Sequence, residues 1–546
     1  MRIIIIGAVA AGTSAAAKAR RNSEGAEIVI YEKDGDISYS GCGIPYFLGG
    51  HLHSIDDLTP RDPAYFKDKY NIDVFTRHEV LAIESALKRI QVKNLTTGSI
   101  FTDHYDKLVI ATGASAVVAP IQGVDKPHVF ILRNISDTRL IKAYLDTQAP
   151  KTAVIIGSGF IGLEMCENLQ SLGIGVTVLE KLPHVTPALD DDMAVYVEDY
   201  LTERAVAVRT NITVQEITDD AVMLSDGEAV QADMVLLATG VRPNTSLAKA
   251  TGIAIGASGA IRVNEQMQAS LPDIYACGDC IETYDVVTGR PLYRPLGSTA
   301  NKTGRIAGDQ ITGGDLRFRG VLGTGIFRVF DLTVAQTGLS EREARAQGYD
   351  VVVCHNIKPD KPAYMGGKEM VIKCAADAQT GRLLGVQIVG FEGVDKRIDV
   401  FVTAITFKAK AEDLFHLDLA YAPPFSTTKD PVMYTGMILE NALHRGRKQL
   451  TAQELDTVLQ SGEPYTLIDT RVPAQFEDNH IDTARSIPHS DLRIAAETLD
   501  KDKLTVTYCN KGVTGNAAQN ILLGKGFKHV YSLSGGQKQY KKTHRK

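Results

Sequence analysis

No run of apolar residues in this 546-residue chain is long enough to span a bilayer. No basic excess would favour a nucleic acid or an anionic membrane, because the formal net charge is −6. No second cysteine lies within a few residues of Cys42. The first absence argues against a transmembrane protein, and the second leaves room only for local anion sites. The third deprives Cys42, in Ser38-Tyr39-Ser40-Gly41-Cys42-Gly43-Ile44-Pro45-Tyr46, of a nearby partner for a redox disulfide. Any disulfide at Cys42 is therefore expected to form with a molecule from outside, a small thiol derivative or an oxidant. The seven cysteines, an odd number without framework spacing, read as free thiols in a reducing compartment, so a cytoplasmic location is expected. Met1 to Ala17 imitates a signal peptide, but Ile3 to Ile6 is a short β-branched run followed at once by Gly7, Gly12 and an Ala-rich helix ending in Lys18-Ala19-Arg20-Arg21, which is a strand–turn–helix unit. Overall, 44% hydrophobic and 23% charged residues describe an ordinary globular composition, and the length predicts about three or four domains.

What is present is a duplication. Strand, glycine turn, helix and strand run from Arg2 to Glu32 and again from Thr152 to Glu180, each copy closing on an acid at the end of an apolar strand. Each has a later strand-to-turn element, Leu108 to Gly113 and Val235 to Gly240. In the second copy, Gly157-Ser158-Gly159-Phe160-Ile161-Gly162 follows a strand run, with Glu180 downstream. Such glycines allow a tight turn and close backbone approach to a pyrophosphate resting on a helix N-terminus, while the acid accepts hydrogen bonds from a ribose 2′-hydroxyl. A carboxylate there repels a 2′-phosphate, so NADH is expected over NADPH, with Lys181 and His184 leaving NADPH open. The first copy is less regular, with Val9 in place of the middle glycine. The segment Asp273 to Asp279 follows the second copy, so the second unit reads as an insertion in the first.

Gly7, Gly12 and Glu32, then Thr112-Gly113, and finally Gly278-Asp279 occur in one order. Over residues 1 to about 443 the chain resembles the flavoprotein pyridine nucleotide-disulfide oxidoreductases. The resemblance implies FAD on the first unit, with Asp279 on the ribityl chain, NAD(H) on the second, and a homodimer. Around Cys42 the chain looks like the coenzyme A disulfide reductases, single-cysteine members that form a mixed disulfide with CoA. That likeness implies roles for Ser38 and Cys42, for Tyr421 contributed across the dimer interface, and for Tyr364 as a second tyrosine. Cys42, at a helix start and beside the electron-poor flavin that the resemblance implies, is expected to have a lowered pKa. CoA phosphates would need cations, for which Lys18, Arg20, Arg21, Arg61 and Lys67 are candidates. NADH peroxidases and oxidases, which use a cysteine sulfenic acid, are the enzyme alternative, but Ala10 stands where they carry a histidine. A non-enzymatic redox or sulfane-sulfur sensor is the other. Cys277-Gly278-Asp279-Cys280 has the spacing of a dithiol or half a zinc site, but it coincides with the Gly-Asp motif and no second such pair exists, so no metal is expected. Cys166, Cys354 and Cys374 sit in apolar settings and read as structural.

A basic stretch, His444 to Lys448, precedes a capping-box spacing at Thr451 to Glu454. Leu467 to Arg471, His480 to Pro488, Val506 to Cys509 and Leu533 to Gly536 then resemble a rhodanese domain. The resemblance implies that Cys509 carries a persulfide in the loop Cys509-Asn510-Lys511-Gly512-Val513-Thr514, braced by Asp469 and Arg471, with a helix starting near Gly515-Asn516. The loop lacks the arginines of thiosulfate-using members, and Tyr540 stands in place of a usual tryptophan. The expected architecture is α/β: two Rossmann-like domains, FAD (1–118 and 250–326) and NAD(H) (119–249), an α+β dimerisation domain (327–443), a linker (444–452) and a rhodanese domain (453–546). The expected activity is NAD(P)H-dependent reduction of CoA persulfide, polysulfide or CoA disulfide, with small-molecule thiols as partners and neither nucleic acid nor membrane.

Overall fold

The computed structural model describes residues 1–544, so the last two positions of the expected module 453–546 lie outside the described residues. The chain divides into two units, Met1–Leu182 with Val206–Gly323, and Pro183–Ala205 with the chain from Thr324 onward.

The first unit holds two five-stranded parallel sheets. One has the order Ile274–Ala276, Lys107–Ile110, Arg2–Ile6, Glu27–Tyr31, Asp73–Phe75. The other runs Ala207–Arg209, Gly175–Leu179, Thr152–Ile156, Met234–Leu237, Val129–Ile131. Continuous apolar runs such as Ile3 to Ile6 and Ala153 to Ile156 are buried along their whole length, as strands covered on both faces require. Ile274–Ala276 pairs with Lys107–Ile110 although the whole second sheet intervenes in the chain, so the second nucleotide unit is inserted in the first, as expected. The first helix, Ala10–Asn22, packs on Gly297–Gln310 almost backbone to backbone: a Cβ at Gly304 or Gly308 would lie 2.2 Å from the carbonyl oxygen of Ala11 or Ala15. That contact holds the N-terminal glycine turn in place.

The second unit holds an antiparallel sheet of order Gly325–Val329, Leu332–Gly338, Leu383–Gly390, Glu369–Asp377, Val351–Pro359, with helices Val394–Thr406 and Pro431–His444. The C-terminal parallel sheet runs Gln449–Leu450, Val530–Leu533, Leu504–Tyr508, Tyr465–Asp469, Arg485–Ser486. Gln449 and Leu450 thus form an edge strand and Thr451 caps the next helix, accepting from Glu454 N–H at 3.2 Å. The stretch expected as the linker 444–452 is therefore structured over its second half.

Residues 183–205, expected within the nucleotide domain 119–249, group with the second unit. The reason is a buried charge cluster. Lys373, on the antiparallel sheet, meets Asp190 at 3.1 Å, Asp192 at 2.8 Å and Glu341 at 2.8 Å. His355 Nε2 also contacts Asp192, at 2.8 Å. The helix Asp191–Glu203 is further tied to the rhodanese-like module by Tyr196 O–H donating to Gln539 Oε1 (2.7 Å) and by a Lys542–Asp199 ion pair. Burial opposes the charges of Lys373, Asp192 and Glu341, but their mutual attraction outweighs it, raising the lysine's pKa and depressing both carboxylates.

Lys373→Met should leave these carboxylates buried without their ammonium and lower the unfolding free energy by about 3–5 kcal/mol, read by denaturant unfolding. Stability from Asp192 and Glu341 is present above the ordinary carboxylate pKa and lost as pH falls through the depressed folded values. The wild type should therefore lose stability below about pH 4, and the variant should show a flatter acid limb.

Candidate functional site

The two glycine turns close in the same way. A Cβ at Gly7 would sit 2.3 Å from Ala111 O, and one at Gly157 would sit 2.5 Å from Ala238 O. Both residues have positive φ, 109° and 106°, so only glycine fits either in space or in conformation. In the first turn, Ala8 N–H donates to Glu32 Oε2 at 2.7 Å. In the second, Ser158 N–H donates to Glu180 Oε2 at 3.0 Å, with Ser158 Oγ–H on the same oxygen at 2.6 Å. Val9, in place of the middle glycine, is simply the residue before the helix, at φ −98°, so no left-handed geometry demands glycine there. Burial, the largest influence, raises the Glu32 pKa, against the Asp34 and Ala8 N–H groups that favour the anion.

A cleft runs from this turn past Thr112, Gly113, Arg133 and Asn244 to Asp279. Thr112 Oγ–H donates to Asn244 O at 2.7 Å, and Asn244 Nδ2–H returns to Thr112 O at 2.9 Å. A Cβ on Gly278 would lie 2.6 Å from that of Ala11. Asp279 receives Arg133 Nη2–H at 2.7 Å. Glycine where a side chain would block the loop, an acid on that loop's first amide and a polar rim ending at Asp279 together fit a flavin dinucleotide. Gly159 caps the helix Phe160–Ser171 and Gly162 lies in its first turn, where a Cβ would sit 2.2 Å from Gly157 O. His184 contacts Glu198 at 3.1 Å.

Cys42 is exposed in a 3₁₀ turn, Gly41–Gly43, that leads into the helix Ile44–Leu48. Ser38 adopts a left-handed φ of 49°, and its N–H donates to Ala8 O at 2.8 Å, tying the cysteine segment to the first turn. The protein's own groups push the Cys42 thiol up, local burial first, then the Glu164 carboxylate and Asp279, with Arg133 opposing them; a lowering beside a flavin would have to overcome these groups. Glu164 itself is pushed up to about 7, chiefly by burial, against a hydrogen bond from Tyr46 O–H. The sequence reading missed Glu164, and its signal was its place two residues beyond Gly162.

The five candidate cations divide. Arg21 and Arg61 line a polar cleft with Ser38, Tyr39, Tyr65 and a residue not anticipated, Arg305. Ala10 and Tyr39 line both this cleft and the nucleotide cleft. Arg20 is buried and donates to Tyr70 O (2.7 Å) and Asn71 O (2.8 Å). Lys18 pairs with Asp309 at 3.0 Å and Lys67 with Asp73 at 2.8 Å.

Cys509, Tyr421 and Tyr364 belong to the second unit. Tyr421 is half exposed and lines a cleft with Lys361, Lys396 and Phe425; Tyr364 is 75% exposed. Buried Arg397 steadies the Tyr421 loop by donating to Asp430 Oδ2 at 2.8 Å and to Ser426 Oγ at 3.2 Å. Cys509 ends the strand Leu504–Tyr508, and its carbonyl accepts from Gln537 N–H at 2.8 Å. Arg471 is held by Asp469 (Nη2 to Oδ2, 2.6 Å) and reaches Asn510 Oδ1 at 3.2 Å. The following helix begins at Val513, two residues before the expected start. Cys277 and Cys280 are buried free thiols whose pKa values burial drives upward, Cys280 to about 11. Among the described residues no group of His, Cys, Asp and Glu could hold a metal, and no helix is long and apolar enough to cross a membrane.

Residues 1–295 match the family pyridine nucleotide-disulphide oxidoreductase, 326–431 its dimerisation domain, and 451–543 the rhodanese-like domain. The chain belongs to the pyridine nucleotide-disulphide oxidoreductase family and carries a C-terminal rhodanese-like domain. As a member it is an oxidoreductase that uses FAD and NAD(P)H. Among solved structures it is similar to reduced CoADR-RHD of Bacillus anthracis (TM-score 0.97, 37% identity, 99% of this chain and 98% of that one). It is also similar to an NAD-dependent persulfide reductase from A. fulgidus (TM-score 0.91, 37% identity, 99% and 100%). Among curated relatives, an NADH oxidase of Methanocaldococcus jannaschii is 38% identical over 82% of this chain and 99% of its own length. A CoA-dependent NAD(P)H sulfur oxidoreductase of Pyrococcus furiosus is 36% identical over 80% and 99%.

Because Glu164 raises the Cys42 pKa when ionised, Glu164→Gln should speed Cys42 alkylation by iodoacetamide about two- to fivefold at pH 8. Below pH 6, where wild-type Glu164 is protonated, the two rates should converge. The measurement is the pH–rate profile of the FAD-loaded enzyme.

Proposed function

We propose that the protein is an NAD(P)H-dependent reductase of sulfane sulfur or disulfide sulfur carried by coenzyme A, in which Cys42 is the attacking thiol and Cys509 a carrier of sulfane sulfur. The observation that carries the reading is the setting of Cys42. It has no cysteine partner in the structure, shares electrostatic neighbours Arg133 and Asp279 with the nucleotide cleft, and is tethered through Ser38 to a cleft lined by three arginines. A thiolate so placed can attack the inner sulfur of CoA-S-SH, forming Cys42-S-S-CoA and expelling HS⁻, or one sulfur of CoA disulfide, expelling CoA-S⁻. Bound FAD supplies the two-electron transfer from NAD(P)H that returns the mixed disulfide to two thiols.

The chain's own residues bind, orient and exchange protons. Gly7, Gly12 and Glu32, with Thr112, Gly113, Gly278 and Asp279, are assigned to FAD; Gly157, Gly159, Gly162 and Glu180 are assigned to the nicotinamide dinucleotide. Glu180 at the second turn favours NADH, and His184, engaged with Glu198, is not assigned to a 2′-phosphate. Arg21, Arg61 and Arg305 are assigned to the CoA phosphates. Arg20, whose donors are taken by backbone carbonyls, is assigned a structural role, and the paired Lys18 and Lys67 are set aside. Remote phosphate contacts hold the reacting sulfur near Cys42, which lowers the entropic cost of reaction. Tyr421 is assigned as a hydrogen-bond donor to the departing thiolate from the second subunit of a homodimer, with Tyr364 beside it. A cytoplasmic location agrees with free thiols throughout. Peroxide or dioxygen chemistry is disfavoured by Ala10 at the position where the resemblance calls for histidine.

Cys42→Ser should abolish NADH oxidation with CoA persulfide. Cys509→Ser should retain it with free CoA persulfide and lose it with protein-bound or polymeric sulfur. Equal losses in both variants with free CoA persulfide, or faster turnover with hydrogen peroxide than with CoA persulfide, would overturn the reading. Arg21→Ala with Arg61→Ala should raise KM for CoA substrates about tenfold or more, with kcat little changed, since charge-assisted phosphate contacts contribute about 1.5–3 kcal/mol each. Arg20→Ala should instead lower the unfolding temperature.

A further inference from the structure

The Cys509 loop is joined to the antiparallel sheet of the same unit at two points. On one side, His355 N–H donates to Ser534 Oγ at 2.7 Å, and the turn Ser534-Gly535-Gly536 backs Cys509: a Cβ on Gly536 would lie 2.2 Å from Cys509 O. On the other side, Glu369 binds both Lys511 of the loop and Lys538, and Glu369 is in register with Pro359. Lys358 lies on the strand Val351–Pro359 between these two anchors.

Lys358 is half-buried, and its ammonium stands 4.1 Å from the centroid of the Tyr434 ring. Among the described residues it has no carboxylate within ion-pair distance and no hydrogen-bond partner. The charged groups that face it are Lys511, Lys429 and Cys509 itself; burial and the two lysines disfavour its charge, and the Cys509 sulfur as an anion favours it. Lys429 is exposed and likewise without an ion pair among the described residues, whereas Lys511 shares Glu369 with Lys538. A half-buried ammonium held against an aromatic face, without an ion-pair partner among the described residues, adds positive charge on the strand that anchors the Cys509 loop.

We propose that Lys358, supplied from outside the rhodanese-like module, is a specificity-determining residue of the Cys509 site: with Lys429 it makes the approach to the sulfur selective for anionic sulfur compounds. The inference rests on the reading of Cys509 as a sulfur carrier and deepens it. It also gives a reason for the loop's lack of arginines, because part of the positive charge is provided by the neighbouring sheet. The shared ligand chemistry is a sulfur compound bearing negative charge, either a phosphate-bearing thiol such as CoA and its persulfide or a small inorganic anion such as thiosulfate.

The test compares alkylation of Cys509 by iodoacetate and by iodoacetamide, which differ in charge, in the full-length FAD-loaded enzyme with a Cys42→Ser background, scored by peptide mass. Lys358→Met should lower the iodoacetate-to-iodoacetamide rate ratio about 3- to 10-fold, the effect of removing one unit charge at short range. Lys358→Arg should keep the ratio, and added salt should shrink the difference between the variants. An unchanged ratio, or both rates altered in proportion, would overturn the proposal, since a purely structural role moves the two reagents alike. Protection of Cys509 from iodoacetamide by CoA in the parent but not in Lys358→Met would identify the phosphate-bearing thiol; the same pattern with thiosulfate alone would identify the inorganic anion. Protection by neither would overturn the ligand assignment. Failure of wild-type Cys509 to form a persulfide would defeat the carrier reading while leaving the reagent ratio intact, so the two failures are distinguishable.

Discussion

A buried carboxylate accepting the first amide of a glycine turn is the constraint on which both nucleotide sites depend. Glu32 holds Ala8 and Glu180 holds Ser158. The bond ties the turn that leads into each helix N-terminus to the strand that carries the acid, and a helix N-terminus is where a pyrophosphate is stabilised. It works only if the turn residue can approach the next strand closely, which is why Gly7 and Gly157 have carbonyl oxygens where a Cβ would be. The backbone contact between the helices Ala10–Asn22 and Gly297–Gln310 then fixes the first turn relative to Gly278 and Asp279, so the cleft is built from segments far apart in the chain.

The two reactive sulfurs are set in opposite electrostatic surroundings. Cys42 faces two carboxylates, Glu164 and Asp279, against the single guanidinium of Arg133. Burial and the Glu164 carboxylate together push this thiol up. Near the Cys509 loop, Lys358 has no ion-pair partner among the described residues, and an anionic Cys509 sulfur favours its charge. On the proposed reading, Cys42 is the attacking sulfur and Cys509 the one that holds a negatively charged sulfur chain.

Much of the fold was legible because its signals are local. Strand, glycine turn, helix and acid follow one another within about thirty residues, and their spacing reflects backbone geometry that any such unit must satisfy. The capping box at Thr451 was readable for the same reason, and the insertion of one nucleotide unit in the other from the order of such motifs along the chain. The errors arose where partners are distant. Arg20 looked like a surface cation on an amphipathic helix, but carbonyls some fifty residues away take its donors. Glu164, which adds to burial in raising the Cys42 pKa, went unnoticed because it lies on a helix of the second nucleotide unit. Residues 183–205 joined the second unit because Lys373, nearly two hundred positions downstream, gathers their carboxylates.

By itself, then, the sequence determined the kinds of unit, their order, the dinucleotide cradles and the two separate candidate cysteines, since each is written in residue types that a local backbone shape demands. Tertiary structure alone decided which of the candidate cations are engaged by other groups, which acid adds to burial in raising the Cys42 pKa and which lysine is set against the Tyr434 ring near the Cys509 loop. Those outcomes depend on how side chains from remote segments share a low-dielectric space, where a charge's partners and its cost of burial are set by packing that no local pattern encodes.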